Sequence, residues 1–181
     1  DQGSFTEYGL LAGHTTAVDD DGPSDGLVGG VGDISGHPTV IAAHDWSVLD
    51  GTHSDRNMRK LAKLITIAIS NRWPLVLLIE GNGSRSSDPL PVPPIVNYTR
   101  ARWDVFEGLC ELSGWAPTVA IAVGTARDSH AAMTFLCDLT IATKKSEFGS
   151  NLDSSECEPA ESLAERGNID VVVEDIQEAV S

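Results

Sequence analysis

The sequence predicts an α/β domain with a largely parallel sheet and an antiparallel hairpin near its start. Apolar runs bounded by turn residues alternate with segments whose apolar residues recur every three or four positions, which is typical of strands alternating with helices. The runs "LVLLIE" and "TVAIAV" are apolar almost throughout, as expected for strands covered on both faces. At 181 residues the chain is long enough to bury a core of its own, so we expect one domain spanning 1–181.

The first half of the chain supplies the hairpin, a helix and a buried strand. In "GLVGGVGDISGHPTVIAAHDWSV", a cluster of turn formers from Ser35 to Pro38 separates two runs rich in β-branched residues, which predicts two paired strands. A helix is predicted from Asp55, taken as its N-cap, up to the segment before Pro74, which bars continuation. The strand "LVLLIE" follows.

The second half repeats the order of helix and strand. Residues 82–99 are rich in Gly, Ser and Pro, so they predict an irregular flap that could cover a site. A second helix is carried by apolar residues from Trp103 to Leu112 and leads into "TVAIAV". The remaining predicted elements are a helix from Ala131 to Cys137, the strand "LTIAT", a helix near Pro159 to Arg166 and the strand "IDVVV".

Composition excludes several classes of function. The chain has 12 Lys and Arg against 27 Asp and Glu, and the formal net charge of -15 repels phosphate backbones, so nucleic acid is not an expected partner. No apolar run approaches the roughly 20 residues that cross a bilayer, so no membrane association is expected. Three cysteines without a pairing pattern, and a start at Asp1 without a signal-peptide pattern, lead us to expect the cytoplasm. The five histidines lack metal-ligand spacing, so we predict no metal.

The order of the motifs resembles one known family. The first part, "GLVGGVGDISGHPTVIAAHDWSVLDGTHSDRNMRKLAKLITIAISNRWPLVLLIEGNGSR", combines a hairpin, a His-Asp-aromatic strand end, a Gly-Thr turn, a Lys-bearing helix and a Gly-rich turn ending in Arg. The pattern continues through "LSGWAPTVAIAVGTA", "CDLTIAT" and "ERGNIDVVVEDIQEAV". Together these segments are similar to the carboxyltransferase domain of biotin-dependent acyl-CoA carboxylases, over nearly the whole chain. The resemblance implies a crotonase-type fold of repeated strand-strand-helix units and a homo-oligomer, a trimer or hexamer.

The resemblance also implies a chemistry. In that superfamily an acyl thioester, on CoA or an acyl carrier, lies with its carbonyl oxygen between two backbone amides that stabilise an enolate. By position, the first donor is expected in the turn at Gly81, Asn82 and Gly83, and the second at Asp128 and Ser129, where a helix starts. No tightly bound cofactor is expected, and biotin takes part only in a true carboxyltransferase.

The sequence departs from the family pattern in ways that keep three functions open. Asp128-Ser129 stands where related proteins usually have a small pair such as Gly-Gly, and "SNLDSSECEPAESL" lacks the usual Gly-rich stretch. A second carboxyltransferase half does not fit in this length. We therefore expect a divergent enzyme that uses the pocket for another reaction on a thioester or carbonyl substrate, namely decarboxylation, hydrolysis or cyclisation. The alternatives are a true carboxyltransferase subunit and a non-catalytic scaffold or binding subunit.

Three side chains are candidates for moving protons: His130 beside the predicted oxyanion turn, Asp128 and Glu80. The alternatives are a helix cap or solvent exposure for His130, an N-cap role for Asp128 and a turn anchor for Glu80. Ser129 next to His130 does not indicate a triad, because adjacent residues at a helix start point in different directions.

Two further residues are candidates for contacting the substrate. Arg85 could pair with a CoA phosphate or a carboxylate, or form an ordinary salt bridge. His44, followed by Asp45 at a strand end, could touch a ligand or serve as a structural hydrogen-bonding group.

Overall fold

A computed structural model of the protein describes residues 1–10, 23–85, 104–150 and 157–180. Within these ranges, nine strands form one mixed, mostly parallel sheet in the order β1-β2-β3-β4-β5-β6-β9, with β7 paired to β5 and β8 to β7. The strands are β1 (Thr6–Glu7), β2 (Leu27–Ile34), β3 (His37–His44), β4 (Leu75–Gly81), β5 (Thr118–Arg127), β6 (Leu139–Thr143), β7 (Glu147–Gly149), β8 (Glu158–Pro159) and β9 (Val171–Val173).

Five α-helices lie in the described ranges. They are α1 (Asp55–Asn71), α2 (104–112), α3 (Ser129–Leu136), α4 (Ala160–Glu165) and α5 (Ile176–Ala179). None of these helices combines the length and the apolar character needed to cross a membrane. The α/β class, the mostly parallel sheet and the N-terminal hairpin are confirmed.

The predicted hairpin is formed by β2 and β3, which pair antiparallel from Ile34 and His37 outward. Ser35 and Gly36 connect them with φ angles of 51° and 77°. Two central residues with positive φ make the type I′ turn, whose twist matches that of the flanking strands. The turn is shorter than the predicted cluster because Pro38 already belongs to β3.

Helix α1 begins with a capping box, one residue earlier than the sequence suggested. Ser54, not Asp55, is the N-cap: its side chain accepts from the Asn57 amide, and the Asn57 side chain accepts from the Ser54 amide. The helix ends before Arg72, which takes the left-handed conformation. Its predicted apolar face is buried, comprising Met58, Leu61, Leu64, Ile65 and Ala68.

Strand β4 lies at the centre of the parallel part of the sheet, between β3 and β5. Leu75, Leu77 and Ile79 are fully buried on one face, whereas the alternate residues are only half-buried, so coverage is more one-sided than the sequence indicated. Because β3, β4 and β5 run parallel, their carboxyl ends meet at one edge of the sheet. This edge carries the residues from which the site is built.

Helix α3 begins at Ser129, where the resemblance put a helix start, and includes the predicted apolar segment from Ala131. The predicted strand "LTIAT" corresponds to β6, and the tail helix and strand to α4 and β9. Trp103 lies outside the described residues, and so do residues 86–99 of the predicted flap. The described start of the flap, 82–85, is held by backbone bonds between His53 and the segment from Gly83 to Arg85.

A buried ion pair fixes the loop after β4. The Arg85 Nη1 donates to Asp25 Oδ1 at 2.9 Å, and both side chains are almost fully buried. Nη2 and Nε of Arg85 donate to the carbonyl and hydroxyl of Thr52, and the Ser54 hydroxyl donates to Asp25. Of the two expectations for Arg85, the salt bridge is thus observed, and the contact with a CoA phosphate or a carboxylate stays a prediction.

We expect Arg85→Met to reduce the free energy of unfolding by about 3–5 kcal/mol, because it leaves the Asp25 charge buried without its partner. Adding Asp25→Asn should recover part of the loss. The matched control is Arg166→Met, which breaks an exposed pair with Glu158 and should cost less than about 1 kcal/mol. Urea unfolding at pH 7 measures all four proteins, and wild-type stability in Arg85→Met would contradict the structural role.

Candidate functional site

The candidate site lies where three parallel strands end and α3 begins. His44 ends β3, Gly81 ends β4, and Arg127 ends β5 just before Asp128 and α3. The structure therefore brings the turn after β4 and the turn before α3 together, as the sequence predicted.

Three histidines form a compact buried cluster at this edge. His44, His53 and His130 are 8%, 1% and 0% exposed. The rings of His53 and His130 are stacked, with centroids 3.7 Å apart and planes 18° apart. The His44 ring lies 4.6 Å from His130 and 5.1 Å from His53. Such a concentration of buried imidazoles needs hydrogen bonds to offset the loss of water.

A chain of hydrogen bonds links two of these rings to a serine. His44 Nδ1 lies 3.2 Å from the Leu78 carbonyl, which only accepts, so Nδ1 carries the proton. The neutral His44 ring then accepts at Nε2, 3.1 Å from His53 Nε2. His53 must donate from Nε2, which leaves its Nδ1 to accept from the Ser129 hydroxyl at 2.8 Å. The chain has one direction, from the hydroxyl towards the Leu78 carbonyl.

Burial fixes the charge of one end of this chain. Desolvation lowers the pKa of His44 from 6.5 to about 4, although the hydrogen bond to Leu78 partly opposes the shift. His44 is therefore neutral at pH 7, as the chain requires. Of the two expectations for this residue, the structural hydrogen-bonding role is observed.

His130 packs directly against the end of β4. Its Nδ1 accepts from the Gly83 amide at 3.2 Å, and a Cβ on Gly81 would lie only 2.4 Å from His130 Nε2. Residue 81 must therefore be glycine for the ring to fit. Solvent exposure, one alternative for His130, is wrong, because the side chain is completely buried.

The amides of the turn after β4 are engaged within the protein. The Asn82 amide donates to the Asp50 carbonyl at 3.1 Å, and the Gly83 amide donates to His130. These two N–H groups are thus engaged within the protein, and the first oxyanion donor expected at Gly81, Asn82 and Gly83 stays a prediction. The other predicted donor region, the start of α3, keeps first-turn amides that have no acceptor within the helix.

Asp128 has a backbone conformation that normally belongs to glycine. Its φ of 48° and ψ of −112° lie outside the regions that residues with a Cβ adopt readily. Asp128 occupies the N-cap position of α3, as one alternative expected, but its side chain makes no capping hydrogen bond. The Asp128 amide donates to the Gly149 carbonyl of β7, which helps hold the turn. The backbone thus keeps a glycine-like turn although the side chain is a carboxylate.

The Glu80 carboxylate lies against β5. It covers Gly124, where a Cβ would lie 2.0 Å from Glu80 Oε1. The role of Glu80 in moving protons stays a prediction.

The cluster resembles a metal site in composition but not in geometry. One nitrogen from each of the three histidines lies within 4.8 Å of the others, a proximity that sequence spacing does not reveal. A metal ion lies in the plane of each ligating imidazole, however, and the stacked His53 and His130 rings cannot both meet this condition for one ion. The bond from Gly83 to Nδ1 of His130 also puts the proton of the neutral ring on Nε2. The absence of a metal remains a prediction.

Residues 1–149 match the sequence profile of a family described as the carboxyl transferase domain. The chain belongs to this family. It is 29% identical over 128 residues to the propionyl-CoA carboxylase beta chain of Cereibacter sphaeroides, covering 68% of this chain and 24% of that protein. It is 28% identical over 192 residues to the methylmalonyl-CoA carboxyltransferase 12S subunit of Propionibacterium freudenreichii, covering 97% of this chain and 36% of that protein.

The fold of the carboxyl transferase domain is found in solved structures. The transcarboxylase 12S crystal structure with methylmalonyl-CoA and methylmalonic acid bound superposes with a TM-score of 0.84 at 26% identity, covering 99% of this chain and 38% of that chain. The resemblance inferred from the motifs and the crotonase-type fold are thus confirmed. The present chain spans about a quarter to about a third of the curated relatives it matches.

His53 is the functional candidate that sequence reasoning missed in this carboxyl transferase domain. It precedes the N-cap of α1 and reaches Ser129, 76 residues away, through a side-chain contact that no local pattern encodes. Ser129 was expected to contribute its amide, whereas the structure also engages its hydroxyl. One signal could have pointed to His53. It lies in the short loop between the end of β3 at His44 and the start of α1 at Asp55.

Replacing Asp128 by glycine should relieve backbone strain. We expect Asp128→Gly to be about 1–2 kcal/mol more stable than Asp128→Ala, since both remove the carboxylate but only glycine adopts this conformation freely. The same pair at Asp33, inside β2, should give the opposite order, because glycine destabilises a strand. Thermal unfolding tests both pairs, and equal stability of the two Asp128 variants would exclude the strain.

The buried His44 should make the fold sensitive to acid. Between pH 6.5 and about 4 the unfolded chain binds a proton that the folded chain does not, so stability is full above 6.5 and falls as pH decreases. Over this range we expect His44 to cost roughly 3 kcal/mol. Urea unfolding at pH 7 and pH 4.5 should give a smaller difference for His44→Gln than for wild type. The exposed His37→Gln variant should keep the wild-type difference, and an unchanged pH dependence in His44→Gln would refute the assignment.

Proposed function

We propose that this carboxyl transferase domain acts on an acyl thioester as a divergent enzyme and catalyses a reaction other than carboxylation: decarboxylation, hydrolysis or cyclisation. The observation that carries the proposal is the buried polar cluster at the start of α3, where the resemblance puts an oxyanion turn. Asp128 and Ser129 stand there in place of a small pair and His130 follows them, and two further histidines contact Ser129 and His130.

The start of α3 supports stabilisation of negative charge on a carbonyl oxygen. First-turn amides and the helix dipole favour an anion at this end, and burial makes fixed dipoles more effective than they are in water. The cluster also brings three imidazoles, whose ring nitrogens donate or accept hydrogen bonds, to this helix start. An enolate or a tetrahedral oxyanion would both be stabilised by this arrangement.

A basic groove along α1 supports a phosphate-bearing acyl carrier such as CoA. Four of the 12 Lys and Arg residues of this acidic chain meet there. Two of the four are partly neutralised, since Lys60 lies 3.6 Å from Glu7 and Arg59 pairs with Asp55. Apolar side chains form the remainder of the groove. Its lining consists of Tyr8, Gly9, Arg56, Arg59, Lys60, Lys63, Leu64 and Ile67. The phosphates of such a carrier would meet the basic side chains of this groove, and its pantetheine part would meet the apolar ones.

The second candidate function is that of a true carboxyltransferase subunit. The family membership and the propionyl-CoA carboxylase and 12S transcarboxylase relatives favour it. In this case biotin would come from another subunit, and a trimer or hexamer would be expected, in line with the hexamer named for the 12S structure. The departures at Asp128 and Ser129 favour the divergent enzyme over this candidate.

The test is to incubate the folded protein with acetyl-, propionyl-, malonyl- and methylmalonyl-CoA, with and without free biotin. Native mass spectrometry reports binding and oligomer mass, and chromatography with mass detection reports products. We expect bound thioester and release of either CoA or CO₂. Carboxybiotin as the product would instead support the second candidate, and a folded protein that binds no thioester would contradict both and favour a scaffold.

Charge reversal at one lysine of the groove, compared with the same change outside it, tests the role of the groove. Lys63→Glu should weaken binding of acyl-CoA several-fold and leave binding of the same acyl group on N-acetylcysteamine, which has no phosphates, unchanged. Lys145→Glu, outside the groove, should affect neither ligand. Equal binding of acyl-CoA by Lys63→Glu and wild type would remove the groove from the proposal.

A further inference from the structure

We infer that Ser129, His53 and His44 form a nucleophile relay that hydrolyses the thioester through an acyl-serine intermediate. The choice of thioester as substrate rests on the proposed function. The relay itself rests on the hydrogen bonds that link the three side chains.

The geometry meets the requirements for an activated nucleophile. Ser129 Oγ lies 2.8 Å from His53 Nδ1, and a third group orients the base, since His53 Nε2 lies 3.1 Å from His44 Nε2. A nucleophile, a base within hydrogen-bonding reach and an orienting group are the general elements of such sites. All three side chains are buried in the structure. Contacts within the protein, and not solvent, therefore hold them in place.

The direction of the hydrogen bonds gives His53 the tautomer of a general base. Because Leu78 accepts from His44, His44 accepts from His53, and the lone pair of His53 faces the serine hydroxyl. His44 acts as a positioning residue: it holds the ring of His53 and does not touch the substrate. A neutral histidine here orients the base but supplies no negative charge, so the base should be weaker than one held by a carboxylate.

The turn before α3 aims the serine. Asp128 carries a strained backbone between the end of β5 and the start of α3, and Ser129 is the first residue of the helix. A sharp, strained strand-to-helix turn is also the setting of the serine in α/β-hydrolases, where following amides stabilise the oxyanion. Here the start of α3 likewise supplies first-turn amides without an acceptor in the helix. The likeness concerns the turn only, since the two folds differ.

The reaction balances with water as the second reactant. Ser129 Oγ bonds to the thioester carbonyl carbon while His53 Nδ1 takes the hydroxyl proton. The carbon–sulfur bond then breaks, and the thiolate leaves with the proton returned by His53. Water attacks the acyl-serine ester and gives a proton to His53, which passes it to Ser129 Oγ as the carboxylic acid departs. No oxidant, reductant or metal is needed.

The first experiment treats the purified protein with a fluorophosphonate, which labels activated serines and does not require thioester recognition. We expect one adduct, located on Ser129 by peptide mass spectrometry. Ser129→Ala and His53→Gln should reduce labelling at least tenfold, whereas the exposed Ser113→Ala and His37→Gln variants should label at the wild-type rate. Ser129→Cys gives a second test: its thiol should react with iodoacetamide faster than Cys110, Cys137 and Cys157 do.

The role of His44 needs a readout that a purely structural role would not change. His44→Gln offers an amide oxygen to His53 Nε2 and should retain part of the labelling rate, while His44→Leu should lose it. The pH at which the labelling rate is half-maximal should shift in His44→Gln. Equal loss in both variants, with folding intact by circular dichroism, would remove His44 from the relay.

The two proposals fail separately. Acyl-CoA turnover that persists in Ser129→Ala, without fluorophosphonate labelling of the wild type, would overturn the relay and leave the proposed function in place. Labelling of Ser129 in a protein that binds no thioester would overturn the proposed substrate class and support the relay. A p-nitrophenyl acetate burst that disappears in Ser129→Ala would support the acyl-serine intermediate, and a burst that persists there would overturn it.

Discussion

The contact between the His130 ring and the Cα of Gly81 is the constraint on which the site depends. The ring occupies the space where a Cβ of residue 81 would be. The end of β4 and the start of α3 are therefore in direct contact. His53 stacks on His130, and this position brings His53 within reach of Ser129 on the same helix. A larger residue at 81 would push the turn after β4 away from the turn before α3. The hydrogen-bond chain from Ser129 through His53 to His44 depends on this short distance and would break.

Two buried polar systems meet at the start of α1 and solve the problem of desolvation differently. Near the N-cap, Asp25 and Arg85 remain charged and pair with each other. At the strand ends, burial lowers the pKa of His44 to about 4 and keeps its ring neutral at pH 7. The two systems are adjacent along the chain, because Ser54 bonds to Asp25 and His53 belongs to the histidine cluster. The ion pair therefore holds the loop that presents His53, although it takes no part in the chemistry proposed there.

The elements that depend on local pattern could be predicted, and the site could be predicted only in part. The hairpin, α1 and β4 follow from alternation, three-and-four spacing and turn residues, all of which act over a few positions. The apolar pattern of α3 begins only at Ala131, because Ser129 and His130 are polar in sequence although they are buried in the fold. Pairing of His53 with Ser129 and of Arg85 with Asp25 spans 76 and 60 residues. Such pairs are decided by the register of the parallel strands, which periodicity does not reveal.

The described sheet ends on both sides in very short strands, β1 with two residues and β9 with three. A strand of this length offers few unpaired backbone groups to another chain. Association of the described part with a partner through extension of the sheet would therefore gain little. If copies of this domain assemble, we expect the contacts to be made by side chains on the helices and loops. The described sheet of each copy is then not extended by strands of another copy.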